Sequence, residues 1–515
     1  MPTNLTKHEE EKEIVIDASE FSGGMNSAAA PEALEQQVPL IQNMYYNSSS
    51  GRLRTRHPFK RYSTAVVPGA EPITGIIHFD SEFHVMGQNS GTHTLYYLDA
   101  NLAPQSIGAV NGTAYPSFVK YGGDLCFANG AAPEEVTTGR VLTDIANAPS
   151  DALCLIEKNQ QLGVVGDSNN PDLYAESSVI DKDVWAGGTS EQYSLGYKDD
   201  NLEIVGCSHG PGGYVILWKY GRSGRSIWML DPNAVSPVAH LISEDVGIPN
   251  HRCTARVLGR LWIMDEVQGP LMLEGVDATE KIVIDPQSWE IGQRILDSWT
   301  MNATHAFMCV YPPHSQIWFF PNPSVNNYIY VLHYRTGAWV RFKPASTLSF
   351  YSAYYHPADR YLYLGGSDGF IYRYTTDESA AYTDDPGGYP TSYPQKVYSK
   401  IYNLFPSHEH IIKGPIFNYR SLATGAGIIK ALDDYGETLI FSDSFNIENP
   451  RKTLYEYRAK TLYEARAETL YKRSVVVKKN AQHFGADNLQ FNFIIDSGAI
   501  EIHNIVLQVA RGRKI

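Results

Sequence analysis

The stretch from Ile317 to Trp339 (IWFFPNPSVNNYIYVLHYRTGAW) constrains the fold most, because it contains two strand-like runs bounded by turn residues. The runs from Ile317 to Phe320 and from Tyr328 to Tyr334 are rich in aromatic and β-branched residues. Pro, Asn and Gly separate or follow them, and Gly337 can adopt the positive φ that a tight turn requires. The stretch therefore predicts a β-hairpin unit.

Related units of strand, turn and aromatic-ended strand recur about seven times along the chain. They start near Ile73, Ser117, Leu155, Tyr214, Arg256, Ile317 and Ser352. Their spacing of roughly 30 to 60 residues is typical of propeller blades. A sandwich or jelly roll would also contain short strands, but it would not readily repeat this one unit. We therefore predict an all-β protein with a β-propeller of about seven degenerate blades over residues 66–376.

Composition divides the remainder of the chain into three segments. Residues 1–65 are predicted to form an N-terminal arm and assembly segment, including a short helix from Ala28 to Asn43. Residues 377–394 are rich in Pro, Gly, Tyr and Asp and are predicted to be a linker. Residues 395–515 alternate apolar and polar residues with a period of two, which predicts a separate antiparallel β domain.

The C-terminal domain contains an insertion, residues 449–473, with the repeats TLYEYRAK, TLYEARAE and TLYK. Its Ala, Glu, Leu, Lys and Arg content favours a helix. In a strand, by contrast, the tyrosines would share one face, because the period of eight is even. The tyrosines concerned are Tyr455, Tyr457, Tyr463 and Tyr471. We favour the helix, and in either form we interpret the insertion as a contact for another protein or subunit.

Charge limits the functions open to the chain. The net charge is −14, which argues against a body that wraps nucleic acid by releasing counterions. One basic strip, Arg52, Arg54 and Arg56, interrupts this acidity. The strip could bind phosphate, or it could be a strand whose arginines face an acidic neighbour in the same fold or in another subunit. We favour the second interpretation and predict the three arginines as interface residues.

Neither catalysis nor membrane insertion is predicted. The sequence contains no GxSxG elbow, P-loop, HExxH motif or GxGxxG fingerprint. His408 and His410 could form a metal-ligand pair, but no third ligand accompanies them, so we favour a solvated surface. Five dispersed cysteines without a CxxC pair indicate free thiols in a reducing cytoplasm. The polar N-terminus is not a signal peptide, and no apolar run predicts a membrane anchor. We therefore predict no catalytic residues, cofactor or metal.

A series of short motifs resembles the tail nozzle, or packaged-DNA stabilisation, proteins of short-tailed bacteriophages. The N-terminal part follows the family pattern FSGG-x-N, P-x-x-L, N and G-x-L-x-x-R. The matching segments are Phe21–Asn26, Pro31 with Leu34, Asn43, Gly51–Arg56, Asn169–Tyr174, Asp183–Trp185, Ser226–Trp228, Tyr334–Trp339 and Gly365–Gly369. They span most of residues 14–375, and their order makes the set more specific than any one motif. His57-Pro58 departs from the Pro-Gly that the family often has, which puts that turn in doubt.

The resemblance implies a non-enzymatic virion protein, made in the host cytoplasm, that acts in the tail. Six copies would form a nozzle ring below the portal and its adaptor, with contacts to a tail needle or to spike and fibre proteins. The ring would retain the packaged viral DNA and conduct it at ejection without sequence-specific binding. The acidity of the chain suits such a channel, because a negative wall does not hold phosphates.

Two other functions remain open from the sequence. A propeller-type tail protein that binds or degrades glycans would show a cluster of carboxylates in its central pocket. A cellular propeller scaffold for peptides would be a monomer and would lack the N-terminal motifs.

Overall fold

The computed structural model describes residues 11–26, 34, 37–47, 50–89, 91–167, 169–195, 202–210, 213–231, 239–276, 282–286, 301–325, 327–345, 347–376, 382–386, 391–402, 408–423, 425–433, 438–447, 474–476, 482–484 and 489–514. These residues form forty β-strands and three short 3-10 helices, Ala18–Phe21, His251–Cys253 and Pro312–His314. None of the helices in this part of the chain is long and apolar enough to cross a membrane.

The N-terminal segment is a run of short strands. They are β1 (Glu11–Asp17), β2 (Leu40–Gln42), β3 (Met44–Asn47), β4 (Arg52–Thr55) and β5 (Phe59–Arg61). The helix predicted to end at Asn43 is therefore wrong over its last turn, where β2 lies; residues 27–33 are outside the described part. Tertiary pairing outweighs local propensity here, because β2 hydrogen-bonds to strands far away in sequence.

Seven groups of four antiparallel strands follow, each a propeller blade. Six of them are separate four-stranded sheets, and the strands of blade 6 are part of a nine-stranded sheet. Blade 1 is β6 (Ile73–Phe79), β7 (Glu82–Asn89), β8 (Thr92–Leu98) and β9 (Pro104–Ala109). Blade 2 is β10 (Ser117–Tyr121), β11 (Asp124–Ala128), β12 (Glu134–Val136) and β13 (Leu142–Asp144). Blade 3 is β14 (Cys154–Lys158), β15 (Gln161–Val165), β16 (Leu173–Glu176) and β17 (Glu191–Ser194). Blade 4 is β18 (Leu202–His209), β19 (Val215–Gly221), β20 (Gly224–Leu230) and β21 (Ala239–Ser243).

The remaining blades bring in the predicted hairpin unit and the N-terminal segment. Blade 5 is β22 (Thr254–Val257), β23 (Arg260–Asp265), β24 (Gly269–Val276) and β25 (Ile282–Pro286). Blade 6 is β26 (Phe307–Tyr311), β27 (Gln316–Phe320), β28 (Ile329–His333) and β29 (Ala338–Phe342). Blade 7 is β30 (Phe350–His356), β31 (Tyr361–Gly366) and β32 (Ile371–Tyr374), completed by β5. The predicted hairpin unit, Ile317–Trp339, thus spans β27 to β29.

The first strand of each blade lies nearest the axis. β6 packs against β10 and β30, β14 packs against β10 and β18, and β26 packs against β22 and β30. The helix His251–Cys253 contacts β18 and so joins blades 4 and 5. Since the contact between β30 and β6 closes the ring, the predicted β-propeller is confirmed, with seven blades.

The outer strand of blade 7 is β5, which precedes blade 1 in the sequence. β5 pairs antiparallel with β32, with Phe59 opposite Tyr374 and Arg61 opposite Tyr372. The first and last strands of the propeller therefore share one blade, which resists opening because both ends are hydrogen-bonded together. The predicted boundary at residue 65 therefore separates β5 from the other three strands of blade 7.

The C-terminal region contributes eight further strands. They are β33 (Gln395–Tyr402), β34 (His408–Ala423), β35 (Gly425–Asp433), β36 (Thr438–Ile447), β37 (Ser474–Val476), β38 (Gln482–Phe484), β39 (Leu489–Ile495) and β40 (Ala499–Lys514). The sheet β2–β33–β39–β35–β36 continues from the outer edge of blade 6, and β3, β4, β40, β34 and β37 form another, with β1 on β40 and β38 on β34. Apart from the parallel contact of β2 with β29, the pairs in both sheets are antiparallel, as predicted.

The propeller and the C-terminal sheets share one hydrophobic core. A single cluster contains Trp318 and Phe342 of blade 6, Phe59 of blade 7, and Phe491 and Ile502 of the C-terminal strands. All five side chains are almost completely buried. Because this apolar surface is continuous, the two parts stabilise each other.

Candidate functional site

Four of the motifs behind the family resemblance lie where the N-terminal strands meet blades 6 and 7; they are Phe21–Asn26, Asn43, Gly51–Arg56 and Tyr334–Trp339. We call this region the junction; it comprises Phe21–Arg61, blade 6 and residues 382–395. Three other motifs, Asn169–Tyr174, Asp183–Trp185 and Ser226–Trp228, lie in blades 3 and 4. Met25 N donates a hydrogen bond to Trp339 O (2.7 Å), so the FSGG segment lies on the RTGAW turn. Two motifs about 300 residues apart in sequence thus form one structural element.

Gly24 is required at this contact for two reasons. Its φ of +76° lies in the left-handed region, and an added Cβ would lie 2.5 Å from Trp339 N. Gly337, in the facing turn, has nearly the same φ (+75°), but an added Cβ would meet nothing within 4 Å. A side chain at Gly337 would therefore cost only backbone strain, whereas a side chain at Gly24 would also clash with the backbone of Trp339.

We expect Gly337→Ala to lower the free energy of unfolding by about 1 kcal/mol, from backbone strain alone. Gly24→Ala should cost a further ~1–3 kcal/mol, because the new methyl group forces the backbone of Trp339 away. Urea unfolding of both variants measures the difference. Equal losses of unfolding free energy in the two variants would show that the close approach of Gly24 to Trp339 does not make Gly24→Ala more costly.

Arg56 is the central side chain of the junction and has no exposed surface. Its Nη2 and Nη1 donate to Asp384 Oδ2 (2.6 Å) and Oδ1 (3.0 Å), a two-pronged ion pair. Its Nε donates to Asn43 Oδ1 (2.9 Å), and Nη1 also donates to His57 O (2.9 Å). The guanidinium lies 3.6 Å from the ring centroid of Tyr393. Burial opposes the charged form of Arg56, but the Asp384 carboxylate raises its pKa above the ordinary value.

Asp384 joins three further parts of the chain. Its Oδ1 accepts a hydrogen bond from Phe59 N (2.9 Å) in β5, and its Oδ2 accepts one from Ala345 N (3.0 Å), between blades 6 and 7. Asp384 belongs to the segment predicted as a linker, yet its side chain is fully buried. This carboxylate therefore fixes the closing strand, the connection between blades and the start of the C-terminal region in one place.

The other two arginines of the basic strip also have partners within the chain. Arg52 Nη1 lies 3.3 Å from Glu501 Oε2, and Arg54 Nη2 donates to Tyr382 OH (3.1 Å). The interpretation of a strand facing an acidic neighbour in the same fold therefore describes Arg52 and Arg56. The predicted subunit contact is excluded for Arg56 in this fold, because its side chain is enclosed. Arg52 keeps 28% of its side chain exposed, and for it the subunit contact stays a prediction.

The remaining predicted interface residues lie outside the described part of the chain. They are Tyr455, Tyr457, Tyr463 and Tyr471 of the insertion 449–473. The side chains of His408 and His410, the candidate metal pair, are also outside it. Among the described residues, no group of three His, Cys, Asp or Glu side chains is arranged to hold a metal ion.

Two histidines are packed among aromatic rings beside the arginine strip. The rings of His57 and His314 are 5.7 Å apart between centroids, and both lie near Tyr45. Burial, reinforced by the positive charge of Arg54, lowers the pKa of His314 to about 4 and that of His57 well below its usual range. Protonating them would place additional positive charges beside Arg54, so the junction favours neutral imidazoles.

The histidines should make the stability of the protein depend on pH. The folded-state pKa of His314 is about 4 against 6.5 unfolded, so its contribution is complete above pH 6.5 and is lost as the pH falls toward 4. Between pH 7.5 and 5 the free energy of unfolding should fall by about 1–2 kcal/mol from His314 alone. His314→Phe should reduce this slope, whereas the same change at the exposed His240 should not. Identical slopes in both variants would contradict the assignment.

The propeller axis is closed at one end by Arg252. Its Nη1 donates to Tyr351 O (2.6 Å) of blade 7, and its Nη2 donates to Thr304 O and His305 O (3.2 Å each), which lead into blade 6. Its guanidinium also lies 3.7 Å from the ring centroid of Tyr115, which leads into blade 2. Arg252 itself leads into blade 5. Because blades 2 and 5 are not neighbours, this side chain crosses the central opening.

An open cavity of about 410 Å³ lies along the inner strands β10, β14, β18 and β22. Its walls are mostly apolar, with His209 and Arg256 among the polar lining residues. Glu157 is the one carboxylate among the described residues that line it. A glycosidase site needs two facing carboxylates, and this cavity does not present a pair.

One buried carboxyl elsewhere is unusual, although it is far from the axis. Burial raises the pKa of Glu134 to about 7, and its strand-pairing partner is Asp144. Both residues lie on β12 and β13, the outer strands of blade 2, and Glu134 accepts a hydrogen bond from Asn111 N (3.0 Å). This arrangement stabilises a loop and does not face the axial cavity.

The sequence did not predict the roles of Asp384 and Arg252, whose side chains each bind several parts of the described chain. Asp384 was hidden in a Pro- and Gly-rich segment, and Arg252 follows a His in an undistinguished loop. The one signal for Asp384 was that TDDPGGYP carries two adjacent carboxylates, whereas the basic strip about 330 residues away has no Asp or Glu near it in the sequence. Arg252 had no signal, because its partners are backbone carbonyls.

Comparisons with known proteins add little to this description. No family model matches the sequence, and no curated protein matches it. Among solved structures, the chain is similar to one described as "YCF48 bound to D1 peptide", with 13% identity and a TM-score of 0.41. The similarity covers 63% of this chain and 99% of that chain. We draw no conclusion from a similarity this low. The propeller is assigned from the pairing of its strands.

Proposed function

We propose that this chain is a virion structural protein that forms the nozzle ring of a short bacteriophage tail. The observation that carries the proposal is the contact of Gly24 and Met25 with Trp339, since two resemblance motifs distant in sequence form a single element. Chance matches to short motifs have no reason to meet in the fold. Six copies would close the channel below the portal adaptor, retain the packaged DNA and conduct it at ejection.

The shared core supports a role as a rigid ring segment. The N-terminal strands pair with blade 7 and with both C-terminal sheets, so they tie the propeller to the C-terminal region. Rigid segments suit a ring that must withstand the pressure of packaged DNA. The adaptor, the tail needle and the spike or fibre proteins are the partners that such a ring requires.

Because Arg252 closes the propeller axis, it limits the path that DNA could take through the proposed ring. Arg252 crosses the central opening of the propeller, so a duplex would pass between subunits rather than through any one of them. A net charge of −14 per chain would make the wall of such a channel repel phosphates and let the duplex slide. Strong adhesion would instead slow ejection.

Negative-stain imaging of the purified full-length protein, alone and with the adaptor of the same phage, tests the proposal. We expect six-fold rings, and by native mass spectrometry a species about six times the 57.4 kDa chain. Antibody labelling of virions should mark the tip of the tail. A monodisperse monomer that ignores the adaptor and cleaves polysaccharide would overturn the proposal in favour of a glycan-degrading propeller.

A further inference from the structure

Two cysteines on neighbouring blades are in direct contact. Cys154 begins β14 of blade 3, and Cys207 lies near the end of β18 in blade 4. The Cys207 thiol donates to Cys154 Sγ at 3.6 Å, and the Cys154 thiol lies 3.7 Å from Cys207 O. Both side chains are buried. The other three cysteines, Cys126, Cys253 and Cys309, lie in blade 2, before blade 5 and in blade 6.

The geometry of the pair is close to that of a disulfide. The sulfurs are 3.6 Å apart, whereas a disulfide bond measures about 2.05 Å, so an approach of roughly 1.5 Å would close it. A change in side-chain rotamer can supply such a movement. The two strands pack against each other but belong to different sheets. A bond here would therefore join two blades that are otherwise held by packing.

The pair is reachable by small molecules. Cys207 lines the axial cavity of about 410 Å³, which opens to solvent. Cys154 lies behind it, next to Ser117, whose Oγ is 3.6 Å from Cys154 Sγ. The hydrogen bond from Cys207 lowers the pKa of Cys154, so a single negative charge is shared within the pair more readily than on an isolated buried thiol.

We propose that Cys154 and Cys207 are an oxidisable dithiol that forms a disulfide between blades 3 and 4 when a peroxide enters the axial cavity. The Cys154 thiolate, which the Cys207 thiol stabilises, attacks one peroxide oxygen; the O–O bond breaks, and Cys154 becomes a sulfenic acid with release of one water. The Cys207 sulfur then attacks Cys154, the S–O bond breaks, and a second water leaves with the Cys207 proton. Two thiols are oxidised and one peroxide is reduced to two waters.

The disulfide would form after assembly and would then hold blades 3 and 4 together. Its timing rests on the proposed function: the chain folds in a reducing host cytoplasm with both thiols free, and a released virion meets an oxidising medium. The bond would then close a loop of 53 residues across two blades and restrict their separation. The chemistry itself depends only on the two cysteines and the cavity.

The test uses the full-length protein, reduced and then exposed to hydrogen peroxide. We expect the thiol count after denaturation to fall from five to three per chain. The intact mass should fall by about 2 Da, the loss of two hydrogens on disulfide formation. Peptide mapping should find residues 154 and 207 in one cross-linked fragment, and the oxidised protein should melt several degrees higher than the reduced form.

Matched variants make the assignment specific. Cys154→Ser and Cys207→Ser should each abolish the mass loss and the melting shift, whereas Cys126→Ser, a buried thiol on blade 2, should retain both. If a variant fails to fold, the peptide map of the unmodified protein still decides the question. Five remaining thiols, a cross-link through another cysteine, or sulfinic acid without a cross-link would each overturn the proposal. Ring formation is imaged separately, so its failure would count against the nozzle function and not against the dithiol.

Discussion

Replacing Arg56 with methionine should lower the free energy of unfolding by about 3–5 kcal/mol, because it leaves the Asp384 carboxylate buried without its counter-charge. Arg56 and Asp384 are both completely buried, and their two hydrogen bonds measure 2.6 and 3.0 Å. Methionine keeps much of the apolar volume of the side chain, so the loss measures the broken pair rather than a cavity. Chemical denaturation at neutral pH is the appropriate measurement.

An exposed arginine–carboxylate pair in the same chain provides the control for this buried pair. Arg260 and Glu274 are 2.8 Å apart, but 54% and 40% of their side chains are exposed. Arg260→Met should therefore cost less than about 1 kcal/mol. Asp384→Leu should exceed the loss in Arg56→Met, since it also deprives the backbone N–H groups of Phe59 and Ala345 of their acceptor. Similar small losses in Arg56→Met and Arg260→Met would contradict the role assigned to Asp384.

Removal of residues 1–65 should prevent the protein from folding. The truncated chain would lack β5, which leaves the edge of β32 unpaired, and β1 to β4, which belong to the C-terminal sheets. It would also remove Ile41, Leu53 and Phe59 from the shared core. An exposed edge next to an opened core is an aggregation site. Soluble yield and size-exclusion chromatography measure the outcome.

Two companion experiments make the truncation informative. A chain starting at residue 11 retains every described strand and should remain soluble. Co-expression of residues 11–65 with residues 66–515 should recover part of the soluble protein, because the missing strands can pair in trans. A soluble, cooperatively unfolding protein from residues 66–515 alone would support the arm as a separate segment and weaken the account of the junction.

The sequence was sufficient for the propeller because the central strands of the blades carry a strong signal. Strands such as β15 and β27 are buried along their whole length and are dense in apolar residues. The outer strands are short and polar: β13 reads LTD and β17 reads EQYS, and both are largely exposed. No local pattern predicts such strands, because their hydrogen bonds to the neighbouring strand, and not their side chains, hold them in place.

The junction was less predictable, for a different reason. The alternating arginines indicated a strand, and β4 contains Arg52 and Arg54. Arg56 follows β4, and its acidic partner Asp384 lies 328 residues away. Pairing over such a distance leaves no trace in the spacing of residues, and a single sequence offers no covariation. β5 was missed on the same grounds, since FKR alone has no strand signal and its partner β32 lies near the other end of the propeller.

The interleaving of the two chain ends has a consequence for biosynthesis. β1 pairs with β40, so two strands about 490 residues apart in sequence pair with each other. Blades 1 to 6 are each built from continuous sequence and can form during translation, but blade 7 and both C-terminal sheets need β1 to β5. These early strands must wait, unpaired, until several hundred later residues have been made. Closure can therefore take place only after β32 and β40 have been made, and until then the early strands present open edges that can pair with other chains.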